Sequence, residues 1–180
     1  MNYIVFDLEA TCWDGRPEHL VQEIIEIGAV RLNRFGEVED TFSSFIQPVL
    51  NPTLSVFCRQ LTNIDQRDID RSDTFPRVIE DFQDWADIFY EDYLLCSWGN
   101  FDKRMLVQDC KLHGLEHEWA EQHINLKQQY HEIKKLRRTR GLRSALTSEG
   151  LEFEGRQHRG IDDAKNLVKL FNRYVDEWRY

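Results

Sequence analysis

Asp7 and Glu9 stand two apart in Val5-Phe6-Asp7-Leu8-Glu9-Ala10-Thr11, and Asp102 closes Trp98-Gly99-Asn100-Phe101-Asp102. Near the other end of the chain, His158 precedes Asp163 in His158-Arg159-Gly160-Ile161-Asp162-Asp163. Carboxylates are the hard oxygen ligands that Mg²⁺ and Mn²⁺ prefer. Two such ions held close together cleave phosphodiesters, and a histidine beside them can deprotonate the attacking water. As a set, the five residues predict a metal-dependent nuclease. Singly they predict less. Asp102 alone reads as a helix N-cap, Asp163 as a favourable charge in the first turn of a helix, and His158 as an exposed loop residue.

The elements that must position them are legible in outline. Residues 3 to 9 alternate and are β-rich, so they read as a strand. Asp7 and Glu9 then share one face, with Cα atoms about 6.5–7 Å apart, while Ile4, Phe6 and Leu8 face the core. Two uncompensated carboxylates beside an apolar strand cost several kcal/mol unless a cation neutralises them. Glu23 to Asn33 reads as a second strand, with Gly28 at a close approach of neighbouring backbone. Val38 to Gln47 reads as a third, after a turn at Asn33-Arg34-Phe35-Gly36, and Pro48 and Pro52 end this antiparallel meander.

Helices follow: a short one over Leu54 to Leu61, and one entered through Asp73-Thr74-Phe75-Pro76. A buried strand spans Asp92 to Trp98, with a helix over Phe101 to His113. Asp102 thus sits just past the carboxyl end of a strand, where α/β sheets bind ligands. Further helices are expected over Gly141 to Glu149 and over Asp162 to Trp178. The pattern is that of a mixed α/β domain occupying residues 1–180 as a single unit.

A hydrophobic content of 41% is enough for a core, and no apolar run is long enough to span a bilayer. The N-terminus lacks a basic start and a long apolar stretch, so no signal peptide is expected and the cytoplasm is the expected compartment. The four cysteines form no Cys-x-x-Cys pair, which argues against a zinc ribbon. The formal net charge of −9 argues against a general polyanion binder. One segment departs from that balance. Lys127, Lys134, Lys135, Arg137, Arg138, Arg140 and Arg143 are opposed only by Glu132. An acidic body with one basic segment suits an enzyme that grips phosphates locally, so Lys134, Lys135, Arg137, Arg138 and Arg140 are candidate phosphate contacts. A solvated basic face is the plainer alternative.

In this order and spacing, Asp7-x-Glu9-Ala10-Thr11, Trp98-Gly99-Asn100-Phe101-Asp102 and His158-x-x-x-x-Asp163 resemble the three motifs of the DEDD 3'-to-5' exonuclease superfamily, histidine subtype. Phe57-Cys58-Arg59-Gln60-Leu61-Thr62, Asp73-Thr74-Phe75-Pro76 and the run from Gly155 to Asp163 are similar to the branch that trims histone messenger and small RNA ends. That branch also holds bacterial sporulation-kinase-inhibitor-like exonucleases. The resemblance implies a ribonuclease H-like fold, a mixed sheet with a three-strand meander flanked by helices. It implies two Mg²⁺ or Mn²⁺ ions on Asp7, Glu9 and Asp163, with Asp7 reaching both ions and Asp102 acting partly through water. His158 would be the general base in releasing 5'-mononucleotides. Glu9, Ala10, Leu61, Thr62 and His158 would contact the 3'-terminal nucleotide of a single strand, RNA favoured over DNA. The family's frequent Leu-Thr-Gly-Ile is Leu61-Thr62-Asn63-Ile64 here, and Asn63 tolerates the left-handed turn.

Three other readings stand beside this one. His113-Gly114-Leu115-Glu116-His117 matches an inverted zinc-protease motif, but Gly114 is expected to end the helix that the motif requires. A non-catalytic regulator on the same fold is the second. The third is an endonuclease.

Overall fold

The computed structural model of the chain describes residues 1–15, 17 and 19–180. β1 (Asn2–Ala10), β2 (Ile24–Leu32) and β3 (Val38–Phe45) form the expected antiparallel meander. Asn33 closes its second turn, the side-chain oxygen accepting from the N–H groups of Phe35 and Glu37. The chain then builds α1 (Val56–Thr62), α2 (Gln66–Asp70) and α3 (Phe75–Trp85) and returns through β4 (Tyr93–Ser97), which lies parallel to β1. α4 (Phe101–Leu112), a 3₁₀ turn at Glu118–Glu121, β5 (His123–Asn125), α5 (Leu126–Ile133), α6 (Leu142–Ser148) and α7 (Gly160–Arg173) complete the order. The sheet runs β3-β2-β1-β4-β5.

Both faces of β1 are buried. Ile4, Phe6, Leu8 and Ala10 pack with Phe75, Ile79, Phe82 and Leu106 of α3 and α4. Tyr3 and Val5 pack with Leu167, Leu170 and Phe171 of α7. Asp7 and Glu9 lie on this second side by alternation, at the strand's far end. Because β1 and β4 are parallel, with Val5 beside Cys96, the carboxyl ends of both strands open at one edge of the sheet. That register is what sets Asp7 and Glu9 near Asp102.

α7 crosses the same face in the opposite direction, its start at Asp7 and its end at Tyr3, where the rings of Tyr3 and Phe171 are 4.9 Å apart. The start is a contact of two glycines. A Cβ on Gly28 would collide with the backbone of Gly160 and Ile161, and one on Gly160 would lie 2.9 Å from Gly28 N and 3.0 Å from Asp7 O. The close approach expected at Gly28 is therefore the seat of α7. Next to it the ladder slips between Glu9 and Ala10, which pair with Glu26 and Ile24. Bulges of this kind re-aim side chains beside functional sites.

Several boundaries differ from those read in the sequence. α7 begins two residues before Asp162 and ends at Arg173, with a separate turn carrying Tyr174 and Trp178 into the core. β5, α2 and α5 have no counterpart in the sequence reading, and α5 occupies part of the segment read only as basic. Thr74 has the backbone of an N-cap but makes no side-chain cap bond, so Pro76 in the first turn marks the start of α3. Gly114, at φ 66°, does follow the end of α4.

Gly28→Ala should lower Tm by roughly 2–10 °C, since overpacking a tight contact costs about 1–3 kcal/mol and each kcal/mol moves a chain of this size about 2–4 °C. Gly141→Ala, with open space around its Cα, is the control and should change Tm by no more than about 2 °C. Thermal unfolding followed by circular dichroism distinguishes the two.

Candidate active site

The end of β1 and the start of α7 bring three carboxylates together. Ligand oxygens of Asp7, Glu9 and Asp163 all lie within 4.8 Å of one another, and among the described residues this is the one group of its kind. Asp102 stands beside them on the first turn of α4 and accepts a hydrogen bond from the N–H of Leu8 at 3.1 Å. Its role as an N-cap, the plainer reading of the residue alone, is not what is seen: Asn100 occupies that position. Ser97 on β4 helps hold Asp102, and its hydroxyl is 2.9 Å from Nε2 of His123. His123 is kept neutral, its pKa lowered to about 4 by burial and by Lys103.

Crowding shows in the acidities. Burial first, then the charges of Asp102, Glu9 and Asp163, raise Asp7 well above the usual carboxylate range. Glu9 is pushed up to about 9 by burial and by Asp163 and Glu26. Asp102 and Asp163 are both raised to about 6, chiefly by burial. Four hard oxygen donors that ionise only with difficulty are a site lacking its counter-charge, and the donor set fits Mg²⁺ or Mn²⁺.

His158 lies in the loop before α7, half-buried, in the left-handed region at φ 62°. Its main-chain N–H and that of Arg159 point at the Asp163 carboxylate, the latter at 3.2 Å, and its ring is close enough to lower the pKa of Asp163. Asp162 turns away from the cluster and accepts from the N–H of Arg156 at 2.9 Å, holding the loop at Gly155. Selecting Asp163 over Asp162 agrees with this geometry.

A cavity of about 740 Å³ is lined by Cys12, two residues beyond β1, by Phe101, next to Asp102 in sequence, and by Trp13, Phe57 and Arg104, among others. Leu61 is 40% exposed on α1, whereas Thr62 is buried, its hydroxyl donating to Cys58 O and accepting from Ile64 N. Asn63 is left-handed at φ 55°, as expected. Ala10 is buried at the end of β1. Of the basic segment, Lys134 is held by Glu149 at 3.1 Å. Lys127, Lys135, Arg137, Arg138, Arg140 and Arg143 have no carboxylate partner among the described residues. Trp98 donates to Arg140 O at 3.0 Å, anchoring this loop at the end of β4. His113, Glu116 and His117 form no metal-holding group among the described residues.

The sequence reading missed Glu26, fully buried and paired with Arg159, and the cavity residues Trp13, Phe57, Phe101 and Arg104. Glu26 did leave a signal, a charge interrupting the apolar run Ile24-Ile25-Glu26-Ile27.

Residues 4–171 match the family model described as Exonuclease, RNase_T. The chain belongs to the exonuclease family. It is 36% identical to the human 3'-5' exoribonuclease 1 over 185 residues, covering 98% of this chain and 53% of that protein. ERI1 exoribonuclease 2 of Xenopus laevis is 32% identical, covering 96% of this chain and 28% of that protein. The chain thus spans about half, or less, of the length of these curated relatives. The nuclease domain of 3'hExo, a DEDDh family member bound to rAMP, superposes with a TM-score of 0.91 at 35% identity, covering 98% of this chain and 92% of that one. At 11% identity and a TM-score of 0.79, exonuclease I shares the fold. The five-stranded mixed sheet of this family member is therefore a ribonuclease H-like one, and the family division is DEDDh. No helix among the described residues is long and apolar enough to cross a membrane.

The raised pKa values carry a sign. A carboxyl whose pKa is higher folded than unfolded binds more protons in the native state, so stability falls as pH rises between the two values. Without metal, Tm should fall between about pH 4.5 and 9 through Glu9, with Asp102 and Asp163 contributing up to about pH 6. Mg²⁺ or Mn²⁺ should restore it at pH 8 and release protons on binding. Asp7→Asn should raise the metal-free Tm at pH 8 and blunt the metal response. Scanning fluorimetry across pH, with calorimetry in two buffers of different ionisation enthalpy, tests this. A metal-free Tm that does not vary with pH would contradict it.

Proposed function

We propose that this chain is a metal-dependent 3'-to-5' exonuclease that removes 5'-mononucleotides from the 3' end of single-stranded nucleic acid, RNA in preference to DNA. The observation that carries the reading is the convergence of Asp7, Glu9 and Asp163 within 4.8 Å, with His158 in the loop leading to Asp163. The sugar preference leans on the relatives, which are named exoribonucleases, one with rAMP bound and one recognising a histone mRNA stem-loop. Residues 1–180 are taken as one exonuclease domain. The four free thiols suit a reducing compartment, and we assign the protein to the cytoplasm.

Asp7, Glu9 and Asp163 would hold the metal, Asp7 reaching a second ion and Asp102 completing the site. Two ions are supported by charge. Among the described residues, the carboxylates of Asp7, Glu9, Asp102, Asp163 and Glu26 face one guanidinium, that of Arg159, and two divalent cations would cancel the remainder. When bound, the ions supply charge neutralisation at the phosphodiester and a more acidic attacking water. His158 takes the proton of that water at a ring nitrogen. A half-buried imidazole in a loop is accessible to that water, as this step needs.

The 3'-terminal nucleotide lies against Glu9 and the Ala10 main chain, beside Leu61 and Thr62. Because Thr62 has its hydroxyl engaged, Leu61 supplies the exposed apolar contact. Phe57 and Phe101, 38% and 37% exposed, offer stacking surfaces in the adjoining cavity, and Trp13 extends them. Base–aromatic stacking is worth about 1–3 kcal/mol and tolerates any base. Arg104 and the loop cations Lys135, Arg137, Arg138 and Arg140 would contact phosphates. Lys134 is the weakest candidate of the five predicted, since Glu149 already holds it.

A 5'-labelled single-stranded RNA should shorten from its 3' end with Mg²⁺ or Mn²⁺ and stay intact with Asp7→Asn. A circular strand should be spared. No digestion of RNA or DNA in either metal would favour the regulatory reading, and cutting of the circle an endonuclease. His158→Ala should lower kcat at least about 100-fold with metal affinity nearly unchanged. Phe57→Ala should act mainly on KM, raising it by roughly 5- to 100-fold, whereas Arg137→Ala with Arg138→Ala should weaken binding and flatten its salt dependence.

A further inference from the structure

Glu26 is among the buried charges that the mechanism leaves without a task, and it lies nearest the cluster in the sheet register. Glu26 sits on β2 directly opposite Glu9, and its side chain is fully buried. An ionised carboxylate in that place is costly unless it is paired and hydrogen-bonded. Arg159 and Gly160 answer it. Arg159 Nε is 3.4 and 3.2 Å from Oε1 and Oε2 of Glu26, its Nη2 is 3.3 Å from Oε1, and the N–H of Gly160 donates to Oε2 at 3.1 Å. The guanidinium lies over the ring of Phe45, 5.2 Å from its centroid.

The main chain of the same arginine is tied to the metal cluster. Its N–H donates to Asp163 Oδ2 at 3.2 Å, and its carbonyl accepts from the N–H of Asp163 at 2.9 Å. Its other neighbour in sequence is His158, held at φ 62°, a backbone region that a non-glycine residue leaves unless its surroundings impose it. Upstream, the loop is fastened by Asp162 to the N–H of Arg156. Arg159 is thus the anchor immediately after His158. It joins the buried floor at Glu26, the ligand Asp163 and the left-handed histidine.

We propose that the Glu26–Arg159 ion pair is a positioning element that fixes the His158 imidazole and the Asp163 carboxylate relative to each other. This rests on the exonuclease reading given above. The guanidinium suits the place because its planar fork engages both carboxylate oxygens while lying over Phe45, and an ammonium lacks that fork. Since the pair is neutral as a whole, replacing both members by neutral side chains tests geometry without leaving an orphan charge.

The test is the double variant Glu26→Gln with Arg159→Met, beside Arg159→Lys. With a 3'-ended RNA, the double variant should keep KM within about twofold and lose roughly 10- to 100-fold in kcat, the scale of a displacement of about 1 Å at a reacting group. Arg159→Lys should fall between it and the unaltered protein. A second readout needs no turnover. In ¹⁵N-histidine spectra of the metal-free protein, assigned through His158→Ala, the His158 ring should give one narrow set of resonances, broadened or doubled in the double variant. Unaltered kcat together with an unaltered His158 spectrum would overturn the proposal and leave the pair as a fastener of α7. If the double variant does not fold, the same two readouts on Arg159→Lys decide. Should the unaltered protein digest no nucleic acid, the exonuclease reading fails, while the spectra still judge the pair.

Discussion

Repulsion among carboxylates at one end of the sheet is the constraint around which the molecule is arranged. Asp7, Glu9, Asp102 and Asp163 would separate if free to do so, and each is harder to ionise than an ordinary carboxyl. What prevents separation is the core beneath. Ile4, Val5, Phe6, Ile24, Ile25 and Ile27 are entirely buried, each contributing about 1.5–3 kcal/mol through its burial. Their combined hold exceeds the several kcal/mol that clustered carboxylates cost. The parallel β1–β4 register and the glycine contact between β2 and α7 then leave the four acids nowhere else to lie.

Opposite charge is supplied asymmetrically. On the floor, Glu26 has a permanent partner in Arg159. At the mouth, the four remaining acids have no ion-pair partner among the described residues, and their elevated pKa values, highest for Asp7 and Glu9, describe carboxyls that hold their protons more tightly than ordinary ones. A cluster already neutralised by lysines would hold its shape better and bind metal worse. Instability of the metal-free site is thus the counterpart of its affinity.

Much of this was legible in the sequence because the site lies on elements with strong local patterns. β1 announces itself by alternation, and the two acids on one face follow from that period. α7 carries a clear apolar stripe, and the histidine and aspartate lie at its start. What was hidden is non-local. α7 begins at Gly160 rather than Asp162 because Glu26 accepts the Gly160 N–H and Gly28 leaves room for its backbone, and both of those residues lie on β2. β5 is three residues long, too short for any period to show. α5 buries only Leu126 and Tyr130, so its span read as a run of cations. The engagement of Lys134 by Glu149 could not be seen either, since pairing across the fold leaves no mark on the residues nearby.

An acidic chain that handles a polyanion must rely on short-range terms. With a net charge of −9, the long-range field repels the substrate, and at physiological ionic strength that field fades over about 8 Å. Within that distance the balance reverses. Among the described residues the cavity wall has Arg104 and three aromatic side chains and no acid, and the loop from Lys135 to Arg140 has cations free of carboxylate partners. Stacking on Trp13, Phe57 and Phe101 does not depend on salt or on base identity, so it can supply grip without steering. The same acidity that repels nucleic acid at a distance is what draws divalent cations to the edge of the sheet. On the proposed exonuclease reading, a free 3' end is the part of a strand that would reach such cations with the fewest phosphates inside the repulsive field, which would favour attack from the end over attack in the middle.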